Sequence, residues 1–292
     1  MSRLRYLDTN TYYRQRFGRK VYKASLALAT TCPNRDGTCG TGGCIFCSEG
    51  GSGEFSSYGE TIEESLEKAV EQVRKKAGPG AGFVSYFQSF SNTYVKAEVL
   101  DDALSRAESY PDVVQVAVAT RPDCLPEDIM EVLARHAARF PLMVELGLQT
   151  ANDNTGKIIN RGFDTAAFED AVSRLMAIGC DTTAHVIFGL PGETVDDMMA
   201  SAKKASICTG VKFTCLYIPK GTVIEKMWRE GKVEVLGMEE YFDIVEKALD
   251  VIPEETVVFR LTGDCPKKIL LAPEWTRNKR MVINYINRRF AL

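Results

Sequence analysis

The chain has 292 residues, enough for about two average domains or for one α/β barrel with an extension. Hydrophobic residues make up 45% and charged residues 26%, an ordinary globular composition that excludes disorder and disulfide-dependent miniature folds. The net charge of -3 hides a split: residues 1–30 and 266–292 each carry seven Lys/Arg against one acid, so the remainder sums to -15. Basic ends on an acidic body can touch a polyanion; a pair of solvated tails is the other reading.

In chain order, apolar and β-branched-rich runs fall at Ala24–Thr30, Phe83–Phe87, Val113–Thr120, Leu142–Leu148, Thr182–Phe188 and Lys212–Ile218. They are nearly continuous in hydrophobicity and predict buried parallel strands. Helical patterns lie between and after them, at Ile62–Lys76, Lys96–Ser109, Glu127–Ala138, Thr165–Ile178, Val195–Ile207 and Glu239–Val251. Thr61 and Glu64 have capping-box spacing, and Asp164 and Thr194 suit N-caps. Gly78 and Gly179 suit helix C-termini, and Pro126 suits a first helical position. Six β/α units with right-handed crossovers build either a doubly wound sheet or an open barrel. In both, the loops leaving the carboxyl ends of the strands build the site.

No apolar run is long enough to span a membrane, and the opening MSRLRYLDTN has no signal-peptide core. Nine cysteines without an export signal point to a reducing, cytoplasmic compartment and to thiols kept for packing or metal. Only two histidines, His136 and His185, are present, so a three-His zinc centre is excluded.

The strongest motif is Cys32-Pro33-Asn34-Arg35-Asp36-Gly37 followed by Gly42-Gly43-Cys44-Ile45-Phe46-Cys47. It places Cys32, Cys44 and Cys47 on a glycine-rich loop directly after a predicted strand. Soft thiolates suit iron–sulfur clusters or zinc, and Cys39 can supply the fourth ligand of a closed zinc tetrahedron. A cubane held by three thiolates leaves one iron open to a substrate or cofactor.

This loop resembles that of the radical S-adenosylmethionine superfamily. Tyr86-Phe87-Gln88, Thr120-Arg121-Pro122-Asp123-Cys124, Glu145 to Thr150, Asn160-Arg161-Gly162 and Gly189 to Glu193 make the chain similar to the YhcC/YtqA branch, related to the radical domain of the Elongator catalytic subunit. Cys39 departs from that pattern. The resemblance implies a partial (β/α)6 TIM-type barrel over 23–255, between a basic N-terminal segment (1–22) and a basic C-terminal extension (256–292). It also implies a [4Fe-4S] cluster on Cys32, Cys44 and Cys47, with S-adenosylmethionine on the open iron. An electron from a flavodoxin- or ferredoxin-type reductant then yields a 5′-deoxyadenosyl radical.

Other residues suit such a site. Gln149 ends a strand and can bond ribose hydroxyls or a carboxylate, or be an ordinary buried amide. Arg161 offers a fork for a methionine carboxylate, or a surface ion pair. By resemblance both stand at cofactor-contacting positions, and His185 matches another polar contact. Core packing is the other reading of His185. Thr120 and Glu145 can face the barrel mouth, and Phe46 with the strand around Leu216 and Ile218 can sandwich adenine or simply pack. Cys124 is a candidate hydrogen donor or a buried thiol, and Lys220 a candidate anion contact or a solvated lysine.

The substrate implied by the resemblance is tRNA whose wobble uridine bears a carboxymethylaminomethyl group, converted to 5-aminomethyluridine. Arg277, Lys279, Arg280, Arg288 and Arg289 interleave with Trp275, Tyr285 and Phe290, which suits phosphates and splayed bases. A basic amphipathic closing helix is the other reading. A small-metabolite or protein substrate, and a non-catalytic zinc-stabilised nucleic-acid-binding module, stay open on the sequence alone.

Overall fold

The computed structural model describes residues 4–51 and 53–292. A short strand β1 (Leu7–Asp8) runs straight into helix α1 (Thr9–Phe17), because the Asp8 carboxylate accepts from the amides of Asn10 and Thr11. Then follow β2 (Val21–Leu26), α2 (Ile62–Ala77), β3 (Gly82–Phe87), α3 (Ala97–Ser109), β4 (Val113–Thr120), α4 (Glu127–Ala137) and β5 (Leu142–Gln149). After α5 (Asp153–Ile158) and α6 (Thr165–Ala177) come β6 (Asp181–Phe188), α7 (Val195–Ala205), β7 (Gly210–Cys215), β8 (Ile218–Pro219) and α8 (Val223–Arg229). The chain closes with α9 (Met238–Val251), β9 (Val257–Arg260), β10 (Leu270–Ala272), a 3-10 turn (Glu274–Arg277) and α10 (Lys279–Arg289).

The main sheet has eight parallel strands in the order β1-β9-β7-β6-β5-β4-β3-β2. From β2 to β7 every strand lies beside its predecessor, so no topological switch point exists and the doubly wound alternative is excluded. The sheet curls into a half-barrel with helices on its outer face. There Val116, Val118, Val144, Leu146, Val211 and Phe213 pack on Leu66, Leu100, Leu133, Phe168, Ala202 and Phe242 in one apolar core.

Both chain ends join this body. β1 pairs with β9 at one edge of the sheet and β2 forms the other, so α1 spans the gap between them over a rise of roughly 13 Å. Its Tyr13 is buried and closes the amino end of the half-barrel against Val84, Ala117 and Met143. Arg16 of α1 pairs with Asp181 at 2.5 Å, and Arg5 pairs with Glu246 at 2.7 Å. Arg5 and Arg16 are therefore anchored rather than part of a solvated tail.

Several expected boundaries shift for local reasons. The first strand stops at Leu26, because Ala27 turns away to bond Ser57 O at 3.3 Å and lead into the cysteine loop. The last expected strand breaks at Cys215, and Ile218 instead pairs antiparallel with Ala272. Thr61 caps α2, but the Glu64 carboxylate accepts from the Glu60 amide, so only half the box forms. Thr194 and Asp197 complete a full box, and Pro126 stands at the N-cap rather than the first helical position. No helix among the described residues is long and apolar enough to cross a membrane.

Candidate active site

The cysteine loop crosses the carboxyl mouth of the half-barrel and is tied down by backbone and amide bonds. Asn160 Nδ2 donates to Gly43 O at 2.8 Å and Thr41 O at 3.1 Å, while Asn34 Nδ2 donates to Asn160 O at 2.6 Å. Ile45 N bonds Ile159 O at 3.1 Å, and Arg35 Nη2 donates to Cys47 O at 3.2 Å. Gly43 takes a φ of 74°, and a Cβ on Gly51 would drive into the Phe90 ring, so the loop folds this tightly only on glycine.

Cys32, Cys44 and Cys47 are partly shielded within this loop. Burial, with charge on Cys47, pushes the Cys44 thiol up to about 12, and Asn34 Nδ2 stands 3.9 Å from its sulfur. Burial also raises Cys47, opposed by the Arg35 guanidinium. Cys39 is exposed and is not among the charges that act on Cys44 or Cys47. Among the described residues no three His, Cys, Asp or Glu side chains close on one ion. A cubane spreads its thiolates over separate irons, wider than a tetrahedron about one zinc, and three thiols near one another suit it.

Gln149 ends β5 with a φ of 58°, a left-handed conformation uncommon for a side chain of its size. Its Oε1 is buried without a partner, as is Asn34 Oδ1. Two unmatched acceptors, one on the cysteine loop and one at the carboxyl end of β5, are what a ligand carrying ammonium and hydroxyl donors would satisfy.

Arg161 corrects the expectation of a free fork. Its guanidinium is fully buried and donates to Leu148 O at 2.7 Å, Thr150 O at 2.6 Å, Phe163 O at 2.9 Å and Asp153 Oδ1 at 2.9 Å. One of its five N–H groups is left, so Arg161 braces the end of β5 and with it Gln149. Arg121 does similar work, donating to Arg161 O at 2.8 Å and forking onto Asp123 at 2.6 and 2.8 Å.

Glu193, in the Gly189–Glu193 turn, accepts from the Thr150 hydroxyl, and burial pushes its carboxyl up to about 7. A raised carboxyl contributes stability that is full below pH 4.5 and is lost as pH rises through 7. Urea midpoints should therefore fall from pH 5 to pH 8 in the wild type. Glu193→Gln should remove that part of the slope, on the order of 2 kcal/mol.

Phe46 packs on a buried cluster containing Leu216, Ile218, Ile45 and Ile187, which gives a planar ring an apolar wall at the mouth. Glu145 does not face the mouth. It lies inside the half-barrel, ion-paired to Lys212; burial works against its charge, yet Lys212 and Lys23 hold its carboxyl down at about 2. His185 Nε2 lies 2.9 Å from Thr214 Oγ1, and burial lowers it to about 4, so the imidazole is neutral.

The hydroxyl of Thr120 meets that of Thr93 at 2.6 Å, and Thr93 Oγ1 donates to Cys124 O at 2.5 Å, so Thr120 pins a loop instead of lining the mouth. Cys124 is buried, and burial pushes its thiol up to about 12. It borders a cavity of about 510 Å³ with Cys39, Tyr94 and Arg174. Cys180, Cys208 and Cys215 are core thiols.

The C-terminal residues divide. Trp275 and Tyr285 pack at tilted angles on Phe242 and are half-buried, Phe290 is fully covered and offers no face to a base, and Trp275 also lines a pocket with Lys267 and Arg280. Arg289 pairs with Asp243 and Glu246, Lys279 with Asp264, and Arg277 with Glu274. Lys220, Lys267, Lys268, Arg280 and Arg288 are exposed and make no ion pair among the described residues. Lys220 N bonds Ile269 O at 2.7 Å, and Ile224 N bonds Ile45 O at 2.9 Å, so the two-stranded β8–β10 ribbon, with Lys220, Lys267 and Lys268 at its end, is tied to the cysteine loop through α8.

Asn34, Asn160, Arg121 and Glu193 escaped the sequence reading as individual contacts, although each lies inside a motif that it singled out. Lys23 and Lys212 left only one signal, lysines within strands otherwise apolar, while Tyr86 stood in the Tyr86-Phe87-Gln88 motif.

Fold and loop together define a parallel α/β half-barrel with a thiol-rich cofactor site at its carboxyl mouth. The chain belongs to the radical S-adenosylmethionine superfamily: residues 32–205 match the Radical SAM superfamily and 208–291 the Radical_SAM C-terminal domain. Enzymes of this superfamily work with a [4Fe-4S] cluster and S-adenosylmethionine. The chain is 38% identical over 287 residues to the uncharacterized protein YtqA of Bacillus subtilis, covering 97% of this chain and 89% of that one. It is 26% identical over 167 residues to a tRNA uridine(34) acetyltransferase of Methanocaldococcus infernus, covering 54% of this chain and 30% of that one. The structure of Methanocaldococcus infernus Elp3 with an N-terminal deletion shares the fold at a TM-score of 0.68 and 17% identity, covering 93% of this chain and 64% of that one.

Proposed function

We propose that this chain is a radical enzyme that modifies the wobble uridine of tRNA, removing the carboxymethyl unit of a 5-carboxymethylaminomethyl group as glyoxylate to leave 5-aminomethyluridine, with S-adenosylmethionine as the overall two-electron oxidant and water supplying the aldehyde oxygen and the amine proton. Cys32, Cys44 and Cys47 hold the [4Fe-4S] cluster, Gln149 and Asn34 present acceptors to S-adenosylmethionine, and Phe46 with Leu216 and Ile218 covers its adenine. When bound, cluster and sulfonium supply a one-electron cleavage that produces a 5′-deoxyadenosyl radical. The electron comes from a flavodoxin- or ferredoxin-type reductant. The protein's own part is to orient: Arg161 and Arg121 fix the mouth, and α1 closes the opposite end against water.

The observation that carries the tRNA reading is the basic face of Lys220, Lys267, Lys268 and Arg280 beside the cysteine loop. Free cations on the rim of a buried mouth suit a polyanion whose one flipped base enters. It is favoured over a small metabolite because those charges lie outside the half-barrel, where a small substrate would not reach them. Reconstituted protein with S-adenosylmethionine, a reductant and tRNA carrying the carboxymethylaminomethyl group should yield 5-aminomethyluridine by nucleoside mass spectrometry. With about four phosphate contacts, tRNA affinity should fall roughly 50- to 100-fold between 50 and 200 mM salt. Formation of 5′-deoxyadenosine with unaltered tRNA, and binding indifferent to salt, would overturn this reading.

A further inference from the structure

The interior of the half-barrel carries a layer of charge that the cofactor site does not use. Lys23 on β2, Tyr86 on β3, Glu145 on β5, His185 on β6 and Lys212 on β7 meet on the concave face. Glu145 lies four residues before Gln149 on the same strand, roughly 13 Å below the mouth. Lys212 Nζ is bonded to Glu145 and stands 4.8 Å from the centre of the Tyr86 ring. Lys23 Nζ stands 3.8 Å from the same ring centre.

These charges do not balance. Two lysines share one carboxylate, and the imidazole of His185 is neutral. Lys212 takes Glu145, while Lys23, near enough for its charge to act on the same carboxylate, makes no ion pair among the described residues and lies over the tyrosine ring. Lys23 is also exposed, on the edge strand β2, so a ligand arriving from solvent can reach its ammonium. A cation so placed lacks one thing, an anion supplied from outside.

We infer that Lys23 is a carboxylate-binding residue inside the half-barrel, holding the carboxylate of the substrate's side chain beneath the mouth. The ligand class is a small aliphatic carboxylate on a flexible arm; a phosphate would bring two charges against a single unpaired cation and lie close to Glu145. The inference deepens the proposed function and rests on it for the identity of the arm, but not for the carboxylate itself.

The test reads Lys23 in the wild-type protein, so the folding of a variant is not at issue. Cluster-loaded protein with S-adenosylmethionine and no reductant is trace-acetylated at pH 7.5, and the rate at Lys23 is followed by peptide mass spectrometry. An uncharged amine reacts; an amine held as ammonium by a carboxylate does not. N-methylglycine should slow Lys23 at least threefold relative to N-methylglycine methyl ester, with other lysines unaffected, and the nucleoside 5-carboxymethylaminomethyluridine should do so at lower concentration. If neither slows it, the inference is overturned. If N-methylglycine protects Lys23 and the nucleoside does not, the carboxylate site stands and the wobble-uridine reading falls.

Discussion

Replacing Cys44 with alanine is expected to leave the chain folded while iron, sulfide and 5′-deoxyadenosine formation all drop to background. The thiol is partly shielded, so its removal costs at most about 1 kcal/mol of stability. The loop does not depend on that sulfur for its shape: Asn160 holds Gly43 and Thr41, Asn34 holds Asn160, and Ile45 bonds Ile159. Cys32→Ala and Cys47→Ala should behave alike, whereas Cys39→Ala should keep its iron, because Cys39 points to solvent. Iron and sulfide per chain, measured after anaerobic reconstitution, decide the matter. Loss of metal from the Cys39 variant together with zinc in the wild type would restore the four-thiolate alternative.

Arg161→Met should cost about 3–5 kcal/mol at neutral pH. The guanidinium is fully buried, and removing it strands the carbonyls of Leu148, Thr150 and Phe163 and leaves Asp153 without its cation. Arg161→Lys keeps the charge but not the fork, since one ammonium cannot reach four acceptors arranged around a plane, and it should recover less than half the loss. Urea denaturation of the apoprotein reads this directly. A fold as stable as wild type, with S-adenosylmethionine affinity alone reduced, would show that Arg161 serves the ligand and not the strand end. The same brace holds Gln149 in its left-handed conformation, so the variant should also lose order at the mouth.

How far the chain could be read in advance varies by element. Six strands and their helices were legible because strands buried on both faces are continuous runs of apolar residues, and helices between them keep one apolar stripe. β1 and β9, two and four residues long, were not, since so short a run has no period to detect. Their pairing depends on a partner 250 residues away: Leu7 lies beside Val257. Trp275, Tyr285 and Phe290 read as stacking platforms because interleaved cations and aromatics look alike on a nucleic-acid face and on a helix packed over a core. Only the packing of α10 on α9 distinguishes the two.

The residues alone narrowed the cofactor to an iron–sulfur cluster or zinc, since three thiols on a glycine-rich loop after a strand carry that chemistry in their identity and spacing, and the family resemblance of the surrounding motifs implied the cluster with S-adenosylmethionine. They also determined the repeating β/α order, which hydrophobic period encodes locally. Tertiary structure decided everything that depends on which partner a polar group meets. Arg161 became a brace and not a ligand fork, Glu145 was drawn to Lys212, and Lys23 was left exposed without an ion pair among the described residues. A charge buried in low dielectric takes its meaning from neighbours brought together across strands, and no local pattern records who those neighbours are.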